Sequence, residues 1–471
     1  MKTQSRYGLA RRGRLIVAAL LAFAIDPPAA LGSNQPNFVV MVADDLGWND
    51  VGYHGSELAT PNIDRLVSRG AELNQFYVQP TCTPTRAALM TGRYPSRYGM
   101  HARVSRWWHS KGVPLTERLL PEFLNDAGYA TAICGKWHLG MSGREYLPLA
   151  RGFDRQYGHL GGHIDYFAHT HDGVRDWHRD QRPLQEEGYS TELIAGEAVR
   201  LIGAHDESRP LFLYLPFNAP HSPRQAPKPS IAEFSHIPDA KRRTYAAMVS
   251  HLDRAIGDVV EAIDSRGWSS DTLVLFFSDN GGAPSVSADN TPLRGSKGKL
   301  YEGGVRVPAT AVWNGTIKAG TTVNQPMHVV DLLPTLLGLA GSPDAAPASL
   351  DGRDVWPAIA KGQPLADRPI LHNVRRERGA VRLGDWKLVR NGEANVTPPV
   401  VELFDLSSDP NEETNLADAN PKKVAELAAL LDAARTRERE PDGMEMKKPK
   451  GVVPPEVWDF SASDTGGVVR P

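Results

Sequence analysis

Four short apolar segments, each followed directly by polar residues, constrain the fold of this chain more than any other feature. They cover residues 38–43, 131–134, 211–215 and 272–277. Continuous apolar runs of this length predict strands that are buried on both faces of a sheet. Helical patterns lie between them, and such alternation predicts an α/β fold with a mixed, mostly parallel sheet sandwiched by helices.

The helical patterns have clear ends in the sequence. They cover about residues 60–70, 116–127, 191–205 and 241–265. Pro61 suits the first turn of the first of these helices, and Gly70 suits its end. We expect these helices to cover the two faces of the predicted sheet.

Polar side chains follow the four predicted strands at their carboxyl ends. The residues concerned are Asp44, Asp45, Lys136, His138, His221, Asp279 and Asn280. Ligands of open α/β sheets bind beyond the carboxyl ends of the strands. We therefore expect these side chains to meet at one edge of the sheet and to form a functional site there.

Two pairs of oxygen donors at this edge predict a metal site. Asp44 and Asp45 are adjacent carboxylates that would repel each other without a neighbouring cation, and Asp279 and Asn280 add donors from another strand end. All four candidate ligands are hard oxygens, which favours Ca²⁺ or Mg²⁺ over Zn²⁺.

The sequence changes in character after about residue 365. Short alternating segments at 379–382, 386–390 and 400–406 predict antiparallel strands, and residues 421–438 predict a helix rich in Ala and Leu. A small antiparallel sheet with one helix should therefore follow the large sheet.

The N-terminus has the pattern of an export signal. Four arginines precede the apolar residues 15–25, and small residues follow up to Ser33. The apolar segment is too short to span a membrane, and no later segment is long and apolar enough. We expect an exported protein, periplasmic or secreted, and Arg11-Arg12 leaves the twin-arginine route open.

Charge and cysteine content narrow the range of partners. The net charge is −2, and no basic run with interleaved aromatic residues occurs, so we expect no nucleic acid partner. The chain has 2 cysteines, Cys82 and Cys134, so an exported protein of this size would not rely on disulfides.

The run at residues 82–93 is the most specific motif. It reads Cys-Thr-Pro-Thr-Arg-Ala-Ala-Leu-Met-Thr-Gly-Arg, which predicts a short helix from Cys82 to about Gly92. The N–H groups at such a helix start would stabilise an anion at Cys82. The run resembles the signature of the type I sulfatases, in which the cysteine is oxidised to formylglycine (3-oxoalanine). Thr85 stands where that family often has serine.

The resemblance extends well beyond this signature. Residues 43–52, 135–140, 302–306 and 331–335 also resemble sulfatases, and the likeness is greatest to the arylsulfatase B (N-acetylgalactosamine-4-sulfatase) branch. It covers about residues 36–420 and implies an alkaline-phosphatase-like fold.

The chain then divides into four parts. These are a signal peptide (1–32), a sulfatase catalytic domain (33–364), a C-terminal subdomain (365–440) and a surface tail (441–471).

The resemblance implies a role for each motif residue. The catalytic residues would be Cys82, Arg86, Lys136, His138, His221 and Lys297. The ligands of a single Ca²⁺, with Mg²⁺ less suitable, would be Asp44, Asp45, Asp279, Asn280 and the formylglycine made from Cys82. His221 would protonate the leaving alcohol and His138 would take a proton from the formylglycine hydrate. Lys299 competes with Lys297 for the role of sulfate-binding lysine.

The implied function is hydrolysis of a sulfate ester. The expected enzyme is an exo-acting carbohydrate sulfatase of glycosaminoglycan degradation, with a substrate like N-acetylgalactosamine 4-sulfate or an aryl sulfate, and a formylglycine-generating enzyme as its partner. Two alternatives are a phosphonate or phosphate ester hydrolase of the same superfamily and, if Cys82 stays unmodified, a non-catalytic binder of sulfated glycans.

Two loops are predicted to border the substrate pocket. One contains His163, Asp165, His169 and His171, and the other contains Arg375, Arg376 and Arg378. The arginines suit a uronate carboxylate or a second sulfate, and equally a solvated loop. Both loops depart from the family, so the identity of the sugar does not transfer.

Overall fold

A ten-stranded sheet lies at the centre of the computed structural model, which describes residues 35–102, 104–375, 377–392 and 398–461. Numbered along the chain, the strands of this sheet and of the smaller sheets are β1 (Asn37–Ala43), β2 (Ala71–Leu73), β3 (Phe76–Tyr77), β4 (Ala130–Lys136), β5 (Arg155–His159), β6 (Thr170–His171), β7 (Val174–Arg175), β8 (His178–Arg179), β9 (Arg182–Pro183), β10 (Leu211–Pro216), β11 (Thr272–Ser278), β12 (Ala309–Val312), β13 (Thr321–Val323), β14 (Met327–His328), β15 (Ile370–His372), β16 (Gly379–Leu383), β17 (Trp386–Asn391) and β18 (Val400–Asp405). The large sheet has the order β13-β2-β12-β11-β1-β10-β4-β5-β8-β9, and the neighbouring strands β11, β1, β10, β4 and β5 run parallel.

Helices cover both faces of this sheet. Numbered along the chain, the helices of the protein are α1 (Pro61–Arg69), α2 (Cys82–Thr91), α3 (Leu120–Asp126), α4 (Ser190–Ala204), α5 (Lys228–Glu233), α6 (Ala240–Ser265), α7 (Glu302–Val305), α8 (Leu332–Leu339), α9 (Trp356–Lys361) and α10 (Pro421–Arg435). Alternate residues of β1 enter two different hydrophobic cores: Val40 packs in the core that contains α2 and α8, and Met41 packs in the core that contains α4 and α6. The predicted mixed, mostly parallel sheet between helices is confirmed.

The register of the central strands brings their carboxyl ends level. Ala43 at the end of β1 pairs with Ser278 at the end of β11, so Asp44 and Asp279 leave the sheet side by side. Strand β10 flanks β1 on its other side and pairs in turn with β4, which ends at Lys136. The predicted meeting of polar side chains at one sheet edge follows from this register.

A four-stranded antiparallel sheet, β15 to β18, follows the large sheet in the chain. Helix α10 packs against it through the buried Leu427 and Leu431, which share a core with Val381 and Leu388. The predicted C-terminal sheet with one helix is confirmed. The division at residues 33–364, 365–440 and 441–471 stays a prediction, and the signal peptide at 1–32 lies outside the described residues.

The helix predicted over residues 116–127 is shorter in the structure, where α3 begins at Leu120. Pro121 lies in its first turn, and the Glu122 carboxylate accepts a hydrogen bond of 2.7 Å from the Leu119 N–H. These two residues favour a later start than the apolar pattern alone suggests. Within the described part of the chain, no helix combines the length and the hydrophobicity that crossing a bilayer requires.

The two-sided burial of the central strands predicts a large cost for truncating them. Leu213 in β10 is 0% exposed, whereas Leu115 is 55% exposed in a loop. We expect Leu213→Ala to lower the free energy of unfolding by about 3 kcal/mol because it leaves a cavity in the core. The matched control Leu115→Ala should change it by less than about 0.5 kcal/mol. Denaturant unfolding measures both, and equal losses would contradict this account of the core.

Candidate active site

Three carboxylates and one amide lie together where β1 and β11 end. Carboxylate oxygens of Asp44, Asp45 and Asp279 all lie within 4.8 Å of one another, and each side chain is buried. Asp45 has a φ of 69°, which turns the chain directly after the strand. Its Oδ1 accepts a hydrogen bond of 2.7 Å from the Asn280 amide, which joins the two strand ends.

Each of these carboxylates has a cationic side chain beside it. Lys136 Nζ donates to Asp44 Oδ2 at 2.6 Å, and Lys297 Nζ donates to Asp45 Oδ1 at 2.6 Å. Arg86 donates to Asp279 Oδ2 through Nε at 3.1 Å and Nη2 at 2.8 Å. Buried charges need such partners, and here three cations come from three separate segments of the chain.

The charges shift the pKa values of the carboxylates in opposite directions. Burial opposes ionisation of Asp45, but the charge of Lys297 and its hydrogen bond outweigh it, so the pKa of Asp45 lies below its usual range. Burial and the neighbouring Asp44 raise the pKa of Asp279 from 3.8 to about 6, although Arg86 acts in the other direction. Asp279 is therefore the carboxyl of this cluster that titrates close to neutral pH.

The donor set fits a hard divalent cation. Asp44 Oδ1 and Asn280 Oδ1 are buried, and neither has a hydrogen-bond partner within the part of the chain that the structure describes. Orphaned buried oxygens are unfavourable unless a ligand such as a cation satisfies them. Carboxylate and amide oxygens are the ligands that Ca²⁺ prefers, so Asp44, Asp45, Asp279 and Asn280 could hold it.

Cys82 lies at the first position of α2, beside the carboxylate cluster. Its Sγ, an Asp44 oxygen and a His221 nitrogen all lie within 4.8 Å of one another. The thiol is 2% exposed, and burial raises its pKa. Cys82 and Cys134 are both free thiols, and Cys134 lies buried in β4.

His138 follows β4 with a φ of 59° and is buried. Its Nε2 lies 2.9 Å from the Ser105 carbonyl oxygen, while its Nδ1 is buried without a hydrogen-bond partner among the described residues. Burial and the charge of Lys136 hold the pKa of His138 well below its usual value. The sequence motif did not reveal Ser105, which acts only through its backbone carbonyl.

His221 lies opposite Cys82, at the end of the segment after β10. Its Nδ1 lies 2.7 Å from the Ser222 carbonyl oxygen, and its Nε2 lies 3.6 Å from Asp45 Oδ2. Burial lowers its pKa to about 3, against the charge of Asp45. The hydroxyl of Tyr166 donates to the carbonyl oxygens of Asn218 and His221 at 2.7 and 2.8 Å and supports this loop, a contact that no sequence pattern indicates.

The two candidate lysines have different surroundings. Lys297 contacts the carboxylate cluster, whereas Lys299 is exposed and lines a separate cavity of 480 Å³ with Arg294 and Arg378. The geometry therefore favours Lys297 over Lys299 as the lysine of this site.

The predicted arginine loop is tied to the backbone of its neighbours. Arg375 Nη2 donates to the Ala102 carbonyl at 2.7 Å, and Arg378 Nη2 donates to the Gly298 carbonyl at 2.6 Å. Arg376 lies outside the described residues. Both described arginines hold loops in place, so their role as ligands of a second anion stays a prediction.

The histidine loop divides into two groups. His163 and His171 lie on the side of the catalytic centre, since Gly162, the neighbour of His163 in the chain, packs directly against His138. Asp165 instead accepts hydrogen bonds from the N–H groups of residues 167 and 168, and His169 stacks on Trp177 with ring centroids 4.6 Å apart. Asp165 and His169 thus support the loop.

Comparison with protein families agrees with this geometry. Residues 36–342 match the sulfatase family model, and residues 296–439 match the model of the C-terminal region of N-sulphoglucosamine sulphohydrolase. The chain belongs to the sulfatase family. It is therefore a sulfuric ester hydrolase, and the predicted family, fold class and enzyme class are confirmed.

Several relatives of this sulfatase are similar over most of their length. Mouse arylsulfatase J is 33% identical over 85% of this chain and 76% of its own length, and mouse N-acetylgalactosamine-6-sulfatase is 35% identical over 79% and 74%. The solved structure of Ps i-CgsB in complex with k-i-k-neocarrahexaose is 34% identical, with a TM-score of 0.80 over 88% of this chain and 95% of that chain. The phosphonate monoester hydrolase of Agrobacterium radiobacter is similar in fold alone, with a TM-score of 0.63 at 20% identity over 85% of this chain and 96% of that chain.

The raised pKa of Asp279 predicts a pH-dependent effect of calcium. In the calcium-free protein this carboxyl destabilises the fold increasingly as pH rises from its ordinary value of 3.8 to about 6, because burial disfavours its charge. Calcium needs the ionised form, which is a minority at pH 5. We expect the stabilisation by calcium to be larger at pH 7 than at pH 5 by about 1.4 kcal/mol, measured by unfolding with calcium and with a chelator.

Two variants provide the comparison for this experiment. Asp279→Asn removes the titrating group and should remove the difference between the two pH values. Asp206→Asn changes an exposed carboxylate that is not part of the cluster, and it should leave the difference in calcium stabilisation between the two pH values intact. A calcium effect of the same size at both pH values in the unmodified sequence would contradict the assignment of Asp279.

Proposed function

We propose that this sulfatase removes sulfate from sulfated sugars by means of a formylglycine made from Cys82. The observation that supports the proposal most is the position of Cys82 at the start of α2. Its Sγ lies within 4.8 Å of an Asp44 oxygen and of a His221 nitrogen. A nucleophile in this place would lie between a candidate cation site and a proton-transferring side chain.

Two groups would supply the chemistry that the unmodified chain lacks. Formylglycine, as its hydrate, would provide an oxygen nucleophile with a second hydroxyl, and Ca²⁺ at Asp44, Asp45, Asp279 and Asn280 would lower the pKa of that nucleophile. Arg86 would fix the orientation of Asp279 through its two hydrogen bonds.

The lysines would bind the sulfuryl group. Lys136 and Lys297 each donate to a carboxylate of the cluster, and the charges of both act on the Cys82 thiol. Their fixed positive charges would stabilise the negative charge that builds up on the sulfuryl oxygens in the transition state. Electrostatic stabilisation of this kind is the main requirement of sulfuryl transfer at a buried site.

Each of the two histidines has one ring nitrogen beside a backbone carbonyl and the other directed to proton transfer. The Ser222 carbonyl beside His221 Nδ1 requires a proton on Nδ1, so Nε2 is the nitrogen free to exchange a proton with the substrate. Burial lowers the pKa of His221 and leaves Nε2 unprotonated without substrate; the negative charge of a bound sulfate ester would raise this pKa, so that Nε2 could protonate the leaving sugar oxygen. The Ser105 carbonyl beside His138 Nε2 likewise requires a proton there. The unpartnered Nδ1 of His138 would then accept the proton of the second hydroxyl of the hydrate, whose oxygen would form the aldehyde C=O as the C–O bond to sulfate breaks.

The proposed substrate is a sulfated galactosamine or galactose residue at a chain end. The chain resembles an N-acetylgalactosamine-6-sulfatase, and a structural relative binds a neocarrahexaose. The likeness of the motifs to the arylsulfatase B branch makes the 4-sulfate of N-acetylgalactosamine, in the degradation of glycosaminoglycans, the first substrate to test. We also propose that the protein is exported and that a formylglycine-generating enzyme modifies it.

Sulfate release tests this proposal. We expect the protein from its native host to release sulfate from N-acetylgalactosamine 4-sulfate faster than from the 6-sulfate. Cys82→Ala should lower the rate at least about a thousandfold, because no nucleophile remains. Sulfate measured by ion chromatography gives both rates.

The second cysteine provides a matched control. Cys134→Ala changes a thiol that is equally buried but lies inside β4, and it should keep most of the activity.

Mass spectrometry of the peptide that contains Cys82 should reveal an aldehyde. An intact thiol together with retained glycan binding would favour the binder alternative, and faster release of phosphate or phosphonate than of sulfate would favour the other hydrolase.

Replacement of His221 should separate poor from good leaving groups. A sugar alkoxide needs protonation as it leaves, whereas an activated phenolate hardly does. We expect His221→Ala to lower kcat about a hundredfold or more on a sugar sulfate and about tenfold or less on a nitrophenyl sulfate. His236→Ala, which changes an exposed histidine, is the control and should keep kcat on both substrates. Equal losses of kcat on both substrates in His221→Ala would exclude His221 as the general acid.

A further inference from the structure

Three potential metal ligands lie together beside the catalytic centre, apart from the carboxylate cluster. Ligand atoms of His163, His171 and Asp172 all lie within 4.8 Å of one another. His163 Nε2 is 3.3 Å from Asp172 Oδ1, and His171 Nε2 is 4.0 Å from Asp172 Oδ2. We propose that these three side chains form a second metal site, which takes a divalent transition ion such as Zn²⁺.

A short hairpin holds two of the ligands. Strands β6 and β7 pair His171 with Val174, so Asp172 and Gly173 form a two-residue turn between them. Their φ values are 50° and 85°, the combination that type I′ turns require and that an Asp-Gly sequence favours. The hairpin therefore fixes the backbone of His171 and Asp172 side by side, as a preformed metal site needs.

His163 comes from a different segment, after two glycines. A Cβ atom on Gly161 would lie 2.0 Å from His171 Nδ1, so the close approach of the two segments depends on the missing side chain. The rings of His163 and His171 meet edge to face with centroids 4.5 Å apart. This packing brings both imidazoles to the same carboxylate.

Other residues hold the ligands from behind, as is usual for metal sites. The buried Asp176 accepts hydrogen bonds from the N–H groups of Leu160 and Gly161, and its Oδ2 lies 3.7 Å from His171 Nδ1. Trp107 Nε1 donates to Asp172 Oδ2 at 2.9 Å. The distance from Asp176 to His171 Nδ1 is longer than a hydrogen bond, and a shift of the ring toward Asp176 on metal binding would close it. A carboxylate bonded to the far nitrogen of a histidine fixes the orientation of the ring and strengthens it as a ligand.

The ligand types select a different ion from the carboxylate cluster. Two imidazoles and one carboxylate suit zinc, cobalt or nickel, whereas an all-oxygen set suits calcium. Three protein ligands leave a coordination position open. The side chains of Asp172 and His163 are 47% and 34% exposed, so an ion can reach the site from solvent.

Cobalt binding in the presence of excess calcium tests the site directly. Calcium occupies the oxygen cluster, and Co²⁺ reports nitrogen ligation through its visible absorption. We expect the full protein to bind one equivalent of Co²⁺, and Zn²⁺ to displace it. Asp172→Asn should weaken Co²⁺ binding at least about tenfold. Asn tolerates positive φ, so this exposed turn should still form.

Further variants separate ligation from folding. His163→Gln should also weaken binding, and Asp176→Asn, which leaves all three ligands in place, should weaken it by about 10- to 100-fold. His236→Gln, an exposed histidine outside the cluster, should bind Co²⁺ like the unchanged protein. Absence of cobalt absorption, or an affinity for Co²⁺ in Asp172→Asn or His163→Gln equal to that of the unchanged protein, would overturn the proposal and leave a simple contact between His163 and Asp172.

Discussion

The repulsion among three buried carboxylates is the constraint on which the active site depends. Asp44, Asp45 and Asp279 leave two adjacent strands at the same level, and their charges are tolerable only because cations surround them. One of these cations, Arg86, is carried by α2, the helix that also begins with Cys82. The electrostatic requirement of the carboxylates therefore also places the candidate nucleophile.

Parallel strands make this concentration of charge possible. Each of β11, β1, β10 and β4 contributes its last residues to one edge, although the segments lie far apart in the chain. Backbone N–H groups and side chains of one segment then bind the next, as when the Asp45 N–H donates to Asp279 Oδ1 at 3.3 Å. The sheet provides a rigid base, and the functional groups sit on the short segments beyond it.

Much of this could be predicted from sequence because burial on both faces leaves a continuous apolar run. The ends of those runs identified Asp44, Lys136, His221 and Asp279 before any contact was known. The choice of Lys297 over Lys299 needed coordinates, because two lysines two residues apart differ only in the direction of their side chains. The roles predicted for these residues await experiment.

Contacts made through the backbone left no trace in the sequence. The carbonyl that Ser105 presents to His138 would be supplied by any residue. The start of α3 is a different case, because it depends on the Glu122 side chain and not on the apolar pattern from which the helix was predicted. The hairpin at Asp172 was missed for a different reason. Its strands have two residues each, too short for an alternating pattern, so only the Asp-Gly pair indicated a turn.

The burial of Cys82 has a consequence for the life history of the protein. Every residue of α2 is buried, and the thiol is 2% exposed, so a modifying enzyme cannot reach it once the helix has packed. The proposed oxidation to formylglycine would then have to take place on the nascent or unfolded chain. Folding speed and modification would compete during synthesis, and a chain that folds first would stay permanently without its nucleophile.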